Sequence, residues 1–248
     1  MLGALASTFL APLLTFGYHE GLERVDAPSV VALEAAHAAI EGRGINPHTE
    51  VDLLLVIDYD EPSWSRRMVI YERGQCPVQQ CLVAHGSGNA DSTKQYATRF
   101  SNVPGSSMMS LGLFVVAGDR PSGKFGHSIE IDGLVQGVND RARARLVVIH
   151  PAHYVSYSSI LENLVEEMNP RLGQSRGCPA LTQADFNRLL ARIRDARHAG
   201  GFVFLYAHRS PEPEPVVVTE ADDFPLPEVR RKKLPPIDLD ALTIPAWP

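Results

Sequence analysis

Between Val51 and Tyr206 the chain passes through seven short runs rich in β-branched and aromatic residues, at 51–57, 67–71, 80–84, 111–116, 128–131, 146–150 and 202–206. Each is bounded by Gly, Pro or Asn, the punctuation of strands rather than of long helices. Glu72-Arg73-Gly74-Gln75 supplies a hairpin turn between the second and third runs. Two helical patterns interrupt the strands. Ser158 can cap a segment whose Leu161, Leu164, Val165 and Met168 form one apolar face, stopped by Asn169-Pro170. Thr182 with Asp185 three residues on resembles a capping box, and Phe186, Leu189, Leu190 and Ile193 then recur at i, i+3, i+4 and i+7. Helices and strands do not alternate regularly, so a doubly wound parallel sheet is excluded. The expected class is mostly β (α+β): an antiparallel β core or sandwich with a few peripheral helices.

The flanks differ from this block. Asp26 can cap a short helix with Pro28 in its first turn and Val30, Val31, Leu33, Ala36 and Ile40 at helical spacing, ended by Gly42 and Gly44. Met1 to Phe16 is an apolar run without Lys or Arg, as long as a signal-peptide core and too short to span a bilayer. It reads equally as a signal remnant and as a segment packed on the domain. Nine of the 19 Pro fall after residue 210. Three regions follow: an apolar segment and short helix over 1–50, a globular domain over 51–208, and a Pro-rich tail over 209–248 that is expected to be disordered. The formal net charge of −6 gives no diffuse positive field for a phosphate backbone, so nucleic acid is not an expected partner. The single basic run, Arg230 to Lys233, lies in the tail and reads as a solvated linker.

Three Cys are too few for a disulfide framework, and each needs its own explanation. Cys76 and Cys81 are five residues apart. On one strand that is about 16 Å, with side chains on opposite faces, whereas a disulfide needs Cα atoms within about 7 Å. Cys178 stands in a Gly-containing loop, Arg171-Leu172-Gly173-Gln174-Ser175-Arg176-Gly177-Cys178-Pro179-Ala180-Leu181, just before the Thr182 cap. A nearby cation, imidazole or helix-end amide would favour its thiolate, and the backbone N–H groups of Gly177 and Cys178 offer an oxyanion hole. A lone Cys is ordinarily a small buried hydrophobe, so this reading needs a base. Leu146-Val147-Val148-Ile149-His150 provides a candidate: an apolar strand that ends on an imidazole where a loop begins. His85, His127, His150 and His153 lack the paired spacing of a zinc site, and no metal is expected.

Several blocks then fall in one order: Val83-Ala84-His85-Gly86, Ala97 to Asn102 with Pro104-Gly105-Ser106, Ser110-Leu111-Gly112, Gly123-Lys124-Phe125-Gly126-His127, Asp132-Gly133-Leu134, Gly137-Val138-Asn139-Asp140, Val148-Ile149-His150 and the Cys178 loop. Together they resemble the murein L,D-transpeptidase catalytic domain of the YkuD type, in the branch with a Ser-X-Gly-Cys-Pro-Ala loop.

The resemblance implies a cofactor-independent cysteine transpeptidase acting on peptidoglycan stem peptides, outside the cytoplasm of a bacterium. By position, Cys178 is the nucleophile, His150 the base, and Gly177 with Cys178 the oxyanion-hole backbone, with Ser175 and Arg176 in the same loop. The carbonyl that orients the imidazole belongs here to Pro151, where relatives usually have Gly; Pro keeps that carbonyl while lacking an N–H. His127, Arg171, Ser101 and Asn102 are placed along the substrate groove. The 28 residues from His150 to Cys178 include an insertion that is either a lid or a surface elaboration. An amine acceptor makes such a site a transpeptidase and water makes it an L,D-carboxypeptidase. The departures at Pro151 and Arg176 leave open a binding module without turnover.

Overall fold

The computed structural model describes residues 29–73 and 76–211. The segment 1–16, the Asp26 cap with Pro28, the tip of the Glu72–Gln75 turn, the basic run and nearly all of the tail lie outside them. The chain divides into two units, Met1–Ser210 and Pro211–Pro248, and the described residues apart from Pro211 belong to the first.

Eight strands, β1 (Val51–Asp58), β2 (Met68–Glu72), β3 (Cys76–Cys81), β4 (Gly112–Ser122), β5 (Gly126–Gly133), β6 (Val148–Pro151), β7 (Ala180–Leu181) and β8 (Phe202–His208), form one sheet in the order β3-β2-β1-β8-β4-β5-β6-β7. Three helices flank it among the described residues: α1 (Val30–Glu41), α2 (Tyr157–Glu167) and α3 (Gln183–His198). The sheet is mixed. Most neighbours are antiparallel, but β1 pairs with β8, and β6 with β7, in parallel. The expected class, a mostly β core with a few peripheral helices, is what the structure has, with these two parallel pairings making its sheet mixed.

The covering explains the strand compositions. α3 lays Phe186, Leu189, Leu190 and Ile193 on one face, against Leu53, Leu55, Ile57, Phe114, Ile129, Ile131 and Ile149. α1 lays Ala32, Ala36 and Ile40 on the other, against Leu54, Val56, Val69, Leu113 and Phe204. β1 is therefore buried on both sides and reads as a nearly continuous apolar run. Each such Leu or Ile contributes about 1.5–3 kcal/mol by leaving water.

The helix caps follow local chemistry. Thr182 Oγ1 accepts from Asp185 N at 3.0 Å, as its spacing predicts. α1 is capped by Ser29, whose Oγ accepts from Ala32 N at 3.2 Å. α2 begins on Ser156 rather than Ser158, because Ser156 and Ser159 cap reciprocally: Ser159 N donates to Ser156 Oγ at 3.1 Å and Ser156 N to Ser159 Oγ at 3.3 Å. Its expected apolar face points outward. Val165 and Met168 are 78% and 81% exposed, and Ile160 is the residue buried, among Leu82, Ala84, Val155, Leu172 and Ala180. Cys76 and Cys81 stand at the two ends of β3, one exposed and one buried, and are not bridged to each other.

One buried side chain pins the turn after β5 to the start of β4. Asn139 Oδ1 accepts from Val135 N at 2.8 Å, and its Nδ2 donates to Leu111 O at 2.9 Å and Leu113 O at 3.0 Å. Asn139→Ala should lower unfolding free energy by about 2–4 kcal/mol, since it strands backbone groups in a site closed to water. Urea denaturation reads this directly, and a loss under about 0.5 kcal/mol would contradict it.

Candidate active site

The site is built on the short parallel pairing of β6 with β7. His150 stands opposite Ala180 and Pro151 opposite Leu181, while Glu130 of β5 stands opposite Val148 on the other side. Cys178, two residues before Ala180, therefore falls beside Val148, and alternation along the strands directs it to the same face as Val148 and His150. Its Sγ donates to Leu146 O at 3.7 Å, and the Val148 N–H faces the sulfur. Leu146 is held at φ +56° with its side chain 65% exposed, a conformation that costs a non-Gly residue of order 1 kcal/mol and that accompanies the aim of its carbonyl at the thiol.

Two glycines let the Cys178 loop settle on the segment that follows β3. A Cβ at Gly86 would lie 2.5 Å from Gly177 Cα, and Gly177 itself has φ +113° against Met108. Ser175 organises the turn: its N–H donates to His85 O at 3.0 Å and its Oγ to Cys178 O at 2.6 Å. Ser175 Oγ also accepts from Gly177 N at 3.1 Å. The Gly177 N–H is thus taken up within its own loop.

The His150 ring is buried, with Nδ1 3.0 Å from Pro151 O. A carbonyl only accepts, so Nδ1 carries the proton and Nε2 keeps a lone pair. Phe125, at the tip of the β4–β5 hairpin, stacks on the ring at 4.0 Å and 13°. Lys124 Nζ lies 5.0 Å from the Phe125 centroid. Burial lowers the imidazole pKa and the Lys124 charge lowers it further, against the Pro151 carbonyl. Burial raises the Cys178 pKa, opposed by the Val148 N–H, Arg145 and Lys124. Thiol and imidazole thus both rest neutral at pH 7.

Arg145 is the residue that sequence patterns do not reveal. Its guanidinium donates to Ser101 O at 2.8 Å, Ser110 Oγ at 3.0 Å and Ser106 Oγ at 3.2 Å, and also to Met108 O. It thereby ties the 101–110 loop to the base of β6 and sets a positive charge within electrostatic reach of the sulfur. Its partners are 35 to 44 residues distant in sequence, so no local motif reports it. Behind the loop, His85 is buried between Arg67 Nη2, 2.8 Å from Nδ1, and the Gln174 amide, 3.4 Å from Nε2. Arg67 can only donate, so His85 Nδ1 accepts and the ring proton sits on Nε2.

The other expected residues are placed elsewhere. His127 Nδ1 lies 3.3 Å from Asp119, which Arg194 of α3 also contacts at 2.7 Å, so His127 belongs to the face opposite His150. Arg171 directs its charge to Glu167 at the end of α2, at 2.7 Å. Ser101 enters through its carbonyl, on Arg145, while Asn102 Nδ2 donates to Asp140 at 2.6 Å. Arg176 is exposed, two residues before Cys178. Among the described residues the metal-capable groups that gather are Asp58, Asp60 and His208, and Arg209 pairs with Asp60 at 3.2 Å.

The buried His85 has a measurable consequence. Burial, with Arg67 beside it, depresses its pKa to about 3. The unfolded chain takes up this proton near pH 6.5 and the native state does not, so stability falls as pH drops through that window, by about 3 kcal/mol at pH 4. NMR should find the His85 ring neutral to pH 4, alongside that loss in urea denaturation. A ring titrating near 6.5 would contradict the assignment.

The model of the YkuD_2 family, the L,D-transpeptidase catalytic domain, matches residues 29–206. No curated protein matches the chain. Among solved structures, it is similar to an L,D-transpeptidase from Mycobacterium smegmatis at 10% identity and TM-score 0.34, covering 64% of this chain and 59% of that one. It is similar to the helical cell shape determining protein Pgp2 from Campylobacter jejuni at 10% identity and TM-score 0.41, covering 66% and 49%. An L,D-transpeptidase from Xylanimonas cellulosilytica matches at 14% identity and TM-score 0.32, covering 83% and 94%. The chain thus spans between half and three fifths of the first two structures' own lengths. The family model extends over more than two thirds of the chain, and on that match the chain belongs to the YkuD_2 family of L,D-transpeptidase catalytic domains.

Proposed function

We propose that this protein is a peptidoglycan L,D-transpeptidase whose nucleophile is Cys178 and whose base is His150. The observation that carries the reading is the His150–Pro151 contact of 3.0 Å, which leaves Nε2 unprotonated on the strand whose Val148 N–H faces the thiol. His150 takes the thiol proton as Sγ attacks the carbonyl that joins the third, diamino acid residue of a tetrapeptide stem to its terminal D-Ala. Because both groups rest neutral, the proton moves during the attack rather than before it. The tetrahedral oxyanion is held by the Cys178 N–H, with Arg145 and Lys124 lowering the cost of negative charge. His150 then protonates the departing D-Ala amine, leaving a thioester on Cys178. An amine from a second stem, deprotonated by His150, resolves the thioester and restores the thiol. Water in its place gives a tripeptide.

No helix among the described residues is long and apolar enough to cross a membrane. The substrate places the protein in the periplasm or cell envelope, as an exported bacterial protein, and the mechanism calls on no cofactor.

Incubation with purified disaccharide-tetrapeptide should release D-Ala, with cross-linked dimer as the amine-acceptor product and tripeptide as the hydrolytic one. Cys178→Ala should release none, and His150→Gln should slow release by about 10²–10⁴-fold. Stem binding by the wild type without D-Ala release, or full release by Cys178→Ala, would overturn the reading.

A further inference from the structure

Helix α2 carries an apolar stripe that faces out of the domain. Tyr157, Leu161 and Val165 on the helix and Met168 at its C-cap follow one another at i, i+4, i+8 and i+11, which keeps them on one side over about 16 Å. All four are exposed, Val165 and Met168 most of all. A helix on a soluble domain ordinarily turns such a stripe inward. On α2 the inward position is taken by Ile160 instead, and the larger apolar face is left to solvent. A contiguous exposed patch of this kind marks an interaction site more often than chance placement does.

The helix is fastened down as a platform. Ile160 anchors it among Leu82, Ala84, Val155, Leu172 and Ala180. At its start Arg66 Nε donates to the Tyr157 hydroxyl at 2.7 Å, and just past its end Asn169 Nδ2 donates to Thr93 O at 2.7 Å. Between them Asn163 Nδ2 donates to Arg171 O at 3.0 Å. A stripe tied at both ends and in the middle meets a partner without the ordering cost of a free segment. Met168 adds a side chain that adapts to an irregular surface.

The charge along the stripe selects the occupant. Glu162 and Glu166, one turn apart, line one edge, both exposed and neither paired to a cation among the described residues. Glu167, toward the other edge, is already held by Arg171 at 2.7 Å. Two copies of α2 packed antiparallel about a two-fold axis would set the acidic edge against itself, and an anionic lipid surface would meet the same repulsion. A helix whose apolar stripe is bordered by Lys or Arg satisfies the stripe and the edge together. We propose that the outward face of α2 is a docking surface for a basic-bordered amphipathic helix of another protein. Its apolar side chains would lie on Tyr157, Leu161, Val165 and Met168, and its cations beside Glu162 and Glu166.

The probe is a synthetic amphipathic helix of about 18 residues, long enough to span the stripe, with a leucine stripe bordered by lysines. Its control carries glutamates in the lysine positions. Fluorescence anisotropy with the full-length chain should show the lysine peptide binding about ten-fold or more tightly than the glutamate peptide. Val165→Ser with Met168→Ser, which spares the Ile160 anchor, should weaken the lysine peptide by about ten-fold with an unchanged circular dichroism spectrum. Glu162→Lys with Glu166→Lys should reverse the preference. The chain stays net negative in that variant, so non-specific attraction would keep the lysine peptide ahead. Equal binding of the two peptides, a lysine preference that survives the charge swap, or affinity that survives the two serines overturns the proposal. So does self-association of the wild type that the two serines abolish, or co-flotation with phosphatidylglycerol vesicles, since each gives the face a different occupant.

Discussion

The site depends on the hydrogen bonds of a two-residue strand. Ala180 is held from both sides: Ala84 N donates to its carbonyl at 2.9 Å, and His150 stands opposite it in parallel register. The bonds from His150 N to Pro179 O at 3.3 Å and from Ala152 N to Leu181 O at 2.9 Å complete the seam. Without it, Cys178 is a thiol in a loop. With it, the sulfur is set beside Val148, on the strand that ends in His150. The glycine contact between Gly86 and Gly177 serves the same seam, because a side chain at position 86 would push the two backbones apart.

That geometry has an electrostatic consequence. Burial pushes the thiol pKa up and the imidazole pKa down, so a preformed thiolate–imidazolium pair is disfavoured. Lys124 acts on both groups in the direction of a thiolate beside a neutral ring, and Arg145 acts on the thiol alone. The hairpin tip bearing Lys124 and Phe125 is therefore electrostatic as well as steric, since its aromatic ring covers His150 while its ammonium bears on the charge that develops below.

Much of this was legible before any coordinates. The β-branched runs mark β1, β2, β4, β5, β6 and β8, because a strand buried on one or both faces needs those side chains. The ordered blocks point to Cys178 and His150, the two residues on which the proposed chemistry rests. What escaped was set by distance or by surroundings. The third run is expected at 80–84, yet β3 begins at Cys76 and includes Pro77, because it is an edge strand, where a missing N–H is tolerated. β7 is too short to have a pattern. Parallel and antiparallel partners demand the same side chains of β8, so its pairing with β1 has no local signature. His127 belongs to the Gly126-His127 block but alternates onto the α3 face with Asp119. Arg145 is meaningful only through four partners on a distant loop, and the Gly177 N–H is diverted by a hydroxyl two residues away.

The central claim is that the strand-locked sulfur of Cys178 is the atom that becomes acylated. Intact-protein mass spectrometry after exposure to a carbapenem, whose strained amide resembles the acyl donor, tests it most directly. The account predicts one covalent adduct per chain, mapped to Cys178 by peptide analysis and absent from Cys178→Ala. An adduct that persists in Cys178→Ala, or one that maps to Cys76 or Cys81, would contradict it.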